Sequence, residues 1–155
     1  MREPTDGPDR IAAHARISYV IARLDRALRR QIADMVAPHG LTATQYTALS
    51  VLRAGKGLSN AQLARRSYVT PQSMIEMLGT LESKGLVERS PAPDHGRILR
   101  TELTVKGRRL LARCDEELDR IEADMTRELS PEDLREFEHM LRSCVHMLHA
   151  GLPDS

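Results

Sequence analysis

From Ile11 onward the apolar residues Ile17, Val20/Ile21, Leu24, Leu28, Ile32 and Met35/Val36 recur every three to four positions, and Pro38-His39-Gly40 stops the run. That period marks one face of a long amphipathic helix. Thr42 followed by Gln45 has capping-box spacing and predicts a second helix through Tyr46, Leu49 and Leu52, ending near Gly55 and Gly57. Ser59 and Gln62 repeat the signal for a short third helix carrying Ala61, Leu63 and Ala64. A turn at Ser67-Tyr68-Val69 leads to Thr70 as N-cap and Pro71 at the first helical position, where its missing N–H costs nothing. The fourth helix then runs to Lys84, with Met74, Met77/Leu78 and Leu81 on its apolar face and Gly85 as a left-handed cap.

The period then changes to two. Leu86 to Ser90 and Ile98 to Leu103 read as paired strands, with Pro91-Ala92-Pro93-Asp94-His95-Gly96 as a long, turn-rich tip. Thr104 caps a helix through Leu110/Leu111, Cys114, Leu118, Ile121 and Met125. Ser130-Pro131-Glu132-Asp133 starts a last one through Leu134, Phe137, Leu141, Val145 and Leu148. Residues 1–9, with Pro4, Gly7 and Pro8, read as an arm. The fold class is mainly α with a small β-hairpin wing, and three short helices followed by a hairpin is the order of a winged helix-turn-helix.

Composition narrows the class. With 155 residues, 41% hydrophobic and 29% charged, the chain suits one domain with appended arms, and one Phe, three Tyr and no Trp make its core aliphatic. No stretch nears the roughly 18 apolar residues of a membrane span, and Met1-Arg2-Glu3-Pro4 leads into no signal-peptide segment, so a soluble cytoplasmic protein with no membrane partner is expected. Cys114 and Cys144 lack finger spacing, and both fall on apolar stripes, where a small inert hydrophobe is the default. His139, Cys144, His146 and His149 crowd the last helix, but only two of them have ligating spacing, so neither a metal nor another cofactor is expected. There is no phosphate loop after a strand, no nucleophile elbow and no carboxylate pair at an evident cleft, which argues against an enzyme.

Charge changes the picture more. The net charge is only +1, yet residues 53–113 carry twelve Lys+Arg against five Asp+Glu, whereas residues 114–155 carry four against twelve. The predicted winged unit therefore lies in a basic segment suited to phosphate, and the acidic end must sit elsewhere. A purely helical scaffold would leave that basic charge unexplained. Thr70, Gln72 and Ser73 open the helix expected to enter the major groove, where small polar side chains reach base edges. Gln72 could pair with adenine, or the Gln and Ser could serve capping alone. Arg53, Lys56, Arg65, Arg66, Arg89, Arg97 and Arg100 are candidate phosphate contacts. Arg97 on the hairpin tip could enter the minor groove, pair with Asp94 to stiffen the tip, or do both. The residues chosen for a DNA interface are Arg65, Arg66, Thr70, Gln72, Ser73, Met77, His95, Arg97 and Arg100.

Leu41-Thr42-Ala43-Thr44-Gln45-Tyr46, Gln62-Leu63-Ala64, the run from Val69-Thr70 through Leu81-Glu82-Ser83-Lys84-Gly85-Leu86-Val87-Glu88-Arg89, and Leu103-Thr104-Val105-Lys106-Gly107 together resemble the MarR family of bacterial winged-helix regulators. The resemblance covers nearly the whole chain. It implies a homodimer whose first and last helices interlock, residues 1–40 and 108–155 supplying the dimerisation helices and residues 41–107 the winged unit, bound to a palindromic double-stranded operator, most often as a repressor. It also implies a pocket for a small aromatic or phenolic effector, to which Tyr19, Arg23 and Tyr46 could contribute; ordinary packing is the alternative for all three. The departure is at the wing, where the family's Asp-x-Arg triplet reads His95-Gly96-Arg97 unless Asp94 serves after a one-residue shift. A nonspecific architectural DNA-binding protein or a helical scaffold without effector response is the alternative.

Overall fold

Thr42, Ser59, Thr70, Thr104 and Ser130 each accept a hydrogen bond on the side-chain oxygen from the backbone N–H three residues on, and each thereby starts a helix. The structure, a computed structural model, describes residues 16–55, 57–93 and 95–150, without the side chains of His95 and Ile98. The expected arm, the helix start at Ile11, Lys56 and Asp94 lie outside the described residues. Helix α1 spans Ile17–Val36 and closes through a 3-10 turn, Ala37–His39, onto Gly40 at φ +71°. α2 (Ala43–Ala54), α3 (Asn60–Arg66) and α4 (Pro71–Ser83) follow, then strands β1 (Val87–Ala92) and β2 (His95–Leu103), then α5 (Val105–Met125) and α6 (Pro131–Met147).

One aliphatic core joins these elements. Leu49, Leu63, Met74, Leu78, Leu81, Val87, Leu111 and Cys114 are all buried in it. On α4 the buried set Met74, Leu78 and Leu81 follows the i, i+4, i+7 rule of a single face. Gly85 takes φ +70°, the left-handed conformation that costs glycine little. Only the end of α1 enters the core, at Met35 and Val36 with Ile32 packed against them. None of the described residues of α6 is fully buried.

The hairpin departs from expectation. Its strands are longer and its tip shorter: the ladder runs from Val87↔Leu103 to Pro91↔Leu99, slips register, and closes at Ala92↔His95. Prolines weigh against a central strand, but each strand of a two-stranded ribbon has one edge without ladder partners, where a missing N–H costs nothing. The slip accommodates Gly96, Arg97 and Ile98 as extra residues on β2, in the manner of a bulge. An isolated bridge from Ser59 to Arg100 ties β2 to the start of α3. Cys144 also departs from expectation: Cys114 is core, whereas Cys144 is exposed in the single chain because no other element covers α6 there.

The entry of α5 is the tightest joint. Thr104 Oγ1 donates to Gly85 O at 2.7 Å, Thr104 N to Leu86 O at 3.1 Å, and Gly107 N to Thr104 Oγ1 at 3.0 Å. A Cβ on Gly107 would lie 2.1 Å from the Leu86 carbonyl oxygen. Gly107→Ala is therefore expected to cost about 2–4 kcal/mol in urea unfolding, since backbone must move to admit the methyl group. Gly79→Ala, inside α4 with open space at its Cβ, is expected to gain about 0.5–1 kcal/mol. Equal stability of the two variants would contradict this account of the joint.

Candidate nucleic-acid interface

Helix α4 presents its first turn outward. Thr70, Gln72 and Ser73 are exposed, while Met74 behind them is fully buried and anchors the turn. Thr70 Oγ1 donates to Ser73 Oγ at 2.9 Å and accepts from Ser73 N at 3.2 Å, so both hydroxyls are preorganised at the helix start. Gln72 Nε2 donates to Glu76 Oε1 at 3.2 Å, which extends the amide along the outer face of the helix. Met77 is different: it is half-buried and packs against the core, so its share of any outer surface is small.

The basic residues divide in two. Arg89 donates to Glu82 from Nε at 2.9 Å and again from Nη2, clamping β1 to the end of α4, and this bond holds the Glu82 carboxyl below its usual range. Arg53 pairs with Asp115 across to α5. These two serve the fold first, a role hidden in sequence because Glu82 and Asp115 lie 7 and 62 residues from their partners. Arg65 and Arg97 are exposed, on α3 and the bulged part of β2. Arg100 lies over Gly57, and Arg66 beside Gly55, so both line the segment between α2 and α3. His95 occupies a strand position at the tip.

In the sequence Tyr68 marks only a turn. It sits in the turn before α4 with φ +57° and is 79% exposed. A tyrosine gains nothing from that backbone conformation and pays its steric cost, a pattern that points to use outside the fold. The one available signal was its place, two residues before the Thr70 cap.

The three candidate effector residues do not converge within one chain. Tyr46 is buried on α2, and its O–H donates to Asp115 Oδ1 at 2.7 Å. Burial, reinforced by the bond to Asp115, raises its pKa, so the phenol stays neutral at physiological pH. It lines an open cleft of ≈ 690 Å³ with Ser50, Arg53, Arg66, Asp115 and Asp119. Tyr19 and Arg23 are absent from the described lining and pair instead on α1, the guanidinium 6.0 Å from the ring centroid. Burial also raises the pKa of the Cys114 thiol, which keeps it in its unreactive form. Among the described residues no three His, Cys, Asp or Glu side chains group as metal ligands, and no helix is long and apolar enough to cross a membrane.

Comparison with known proteins agrees with this geometry. A model described as the MarR family matches residues 39–98. The HTH-type transcriptional repressor Rv2887 of Mycobacterium tuberculosis is 35% identical over 131 residues, covering 84% of this chain and 94% of the relative. The solved structure of the M. tuberculosis MarR family protein Rv2887 in complex with salicylic acid has a TM-score of 0.69 and 34% identity, over 86% of this chain and 98% of that one. The same protein in complex with DNA gives 0.70 and 32%, over 84% and 98%. With a capped and exposed α4, a bulged hairpin and similarity to that repressor over 84% of its length, the chain belongs to the MarR family of winged helix-turn-helix transcriptional regulators.

Proposed function

We propose that this chain is a cytoplasmic, non-enzymatic repressor that binds a palindromic operator as a homodimer and is released by a small aromatic acid. The observation that carries the reading is the outward first turn of α4, with Thr70, Gln72 and Ser73 exposed over buried Met74 in the basic third of the chain. A DNA complex of the similar mycobacterial protein supports the partner, and its salicylic acid complex supports the effector class. In this reading residues 1–40 and 108–155 form the dimerisation part and residues 41–107 the DNA-binding part. Exposed Ile17, Val20 and Ile21 on α1 and Met140, Leu141, Val145 and Met147 on α6 support that division, since a single chain leaves them to water. Ser73 and Gln72 read bases, with Thr70 beside them; Arg65, Arg66 and Arg100 hold phosphates; and Arg97, flanked by His95, enters the minor groove. Met77 contributes at most its outer edge. Tyr46 from the cleft, and Tyr19 with Arg23 from α1, are the effector contacts of the assembled dimer.

The test is a fluorescence-polarisation titration against the gene's own upstream DNA and a shuffled duplex at two salt concentrations. Tight binding that prefers the upstream DNA and falls steeply with salt, with a log–log slope of about −0.9 per phosphate neutralised, is expected. Salt-insensitive binding without preference would overturn the reading in favour of a scaffold, and salicylate added to the complex should lower its affinity. Arg97→Ala should weaken operator binding, while Gln72→Ala should relax preference at one base pair per half-site by about 1–3 kcal/mol. Equal loss on the shuffled duplex would remove Gln72 from base readout.

Tyr68→Gly gives an independent check. Thermal stability should hold or rise, by up to about 1 kcal/mol, as the left-handed residue loses its Cβ. Operator affinity should fall several-fold in the same variant. A stability loss with unchanged affinity would make Tyr68 structural.

A further inference from the structure

Asp115 lies where α5 changes partners. Before it, Leu111 and Cys114 are buried in the core of the winged unit; beyond it, Leu118 and Ile121 are only partly buried and the helix runs alongside α1. Both carboxylate oxygens of Asp115 are held from α2: Tyr46 donates to Oδ1 at 2.7 Å and Arg53 to Oδ2. The two donors stand seven residues apart, about 10 Å along one face of α2, so a single carboxylate on α5 is gripped from two levels. Two residues further on, Glu117 Oε1 meets His39 Nε2 at 2.8 Å, which ties the α1–α2 turn to the same helix.

Beyond this carboxylate the apolar contacts of α5 are only half-buried, at Leu118 and Ile121, and Thr47, Ser50, Arg66 and Asp119 line the cleft beside it. Half-buried apolar packing beyond Asp115 fixes the turn of one helix on another less firmly than the close-packed core before it, whereas hydrogen bonds to both oxygens of one carboxylate fix its azimuth. Asp115 is 25% and Arg53 50% exposed, so the pair is partly wet and contributes little to overall stability. Its effect is on orientation. The link lines one wall of an open cleft, so packing does not enclose it on that side.

We infer that Asp115 is a positioning residue that locks the DNA-binding unit to the dimerisation helices through Tyr46 and Arg53, and so sets the separation of the two recognition helices in the dimer. This rests on the dimeric, operator-binding reading above. In that frame α4 from each protomer must meet half-sites one helical turn, roughly 34–36 Å, apart. A loosened link leaves each unit folded and able to bind a half-site, but blurs the spacing between the two.

The experiment compares wild type with Asp115→Asn, which keeps side-chain size and one acceptor, and with Tyr46→Phe, which keeps the ring packing. Spin labels go on Gln72→Cys in a Cys144→Ser chain, since Cys144 is exposed whereas Cys114 is buried with its thiol pKa raised. Pulsed dipolar spectroscopy is expected to give one narrow inter-protomer distance for wild type and a clearly broader distribution for each variant, at unchanged circular dichroism and nearly unchanged melting temperature. Equal widths in all three would overturn the inference, as would the absence of an inter-protomer signal in wild type. The second arm uses an operator selected from random duplexes by the wild-type protein, with and without one base pair inserted between half-sites. The insertion penalty is expected to be about 5- to 30-fold smaller in the variants than in wild type. Unchanged discrimination overturns the role of Asp115 while leaving DNA binding intact. If no operator is selected, the operator-binding reading falls, and the distance distributions still decide the link.

Discussion

The close approach of the α5 N-terminus to the Leu86 carbonyl is the constraint on which the architecture rests. Thr104 caps α5 while its hydroxyl donates to Gly85 O, and Gly107 lets the first turn sit against the backbone that leaves α4. This joint sends α5 directly from the hairpin into the core, where Leu111 and Cys114 complete the packing around Leu49, Met74 and Leu78. α4, the hairpin and the first turns of α5, as far as Cys114, are therefore one rigid body, and a side chain at position 107 would open it at the root.

Past Cys114 the balance of burial changes. The far ends of α1 and α5 and much of α6 carry apolar residues that one chain leaves exposed, with Ile17 78% and Met147 72% exposed. Isolated exposed residues are ordinary, but rows of them on long helices at opposite ends of the chain are the mark of a surface completed by another molecule. The acidic residues concentrate in this same region, from Asp115 to Glu138, and the basic ones in the winged unit. The charge of an almost neutral protein is thus segregated along the chain, although Asp115 and Glu117 reach back to Arg53 and His39.

Charges within the basic unit do unequal work. Arg89 and Arg53 are drawn into ion pairs with Glu82 and Asp115, so the nominal excess of cations overstates what remains for phosphate. The pairs add directional bonds between elements that also share the aliphatic core. Tyr46 illustrates the point: its ring is core, and its hydroxyl holds α5 through Asp115.

Much of the fold was legible because its signals are local. Five Ser/Thr caps, Pro71 at a helix start and Gly85 at a helix end act within a turn of the backbone, so Thr42, Ser59, Thr70, Thr104 and Ser130 alone placed five helix starts. Periodicity likewise identified Met74, Leu78 and Leu81 as an inner face and left Gln72 and Ser73 outside. The hairpin was half legible: its pairing followed from alternation, but Pro91 and Pro93 concealed its length, because only a two-stranded ribbon makes their missing N–H groups harmless. Only the tertiary structure decided that Arg53 and Arg89 are structural, that Tyr46 stands apart from Tyr19 and Arg23, that Tyr68 is a strained and exposed aromatic, and that Asp115 ties α5 to α2. Each of these depends on which distant residue arrives beside it, and capping and periodicity are silent on contacts that span more than a few turns of chain.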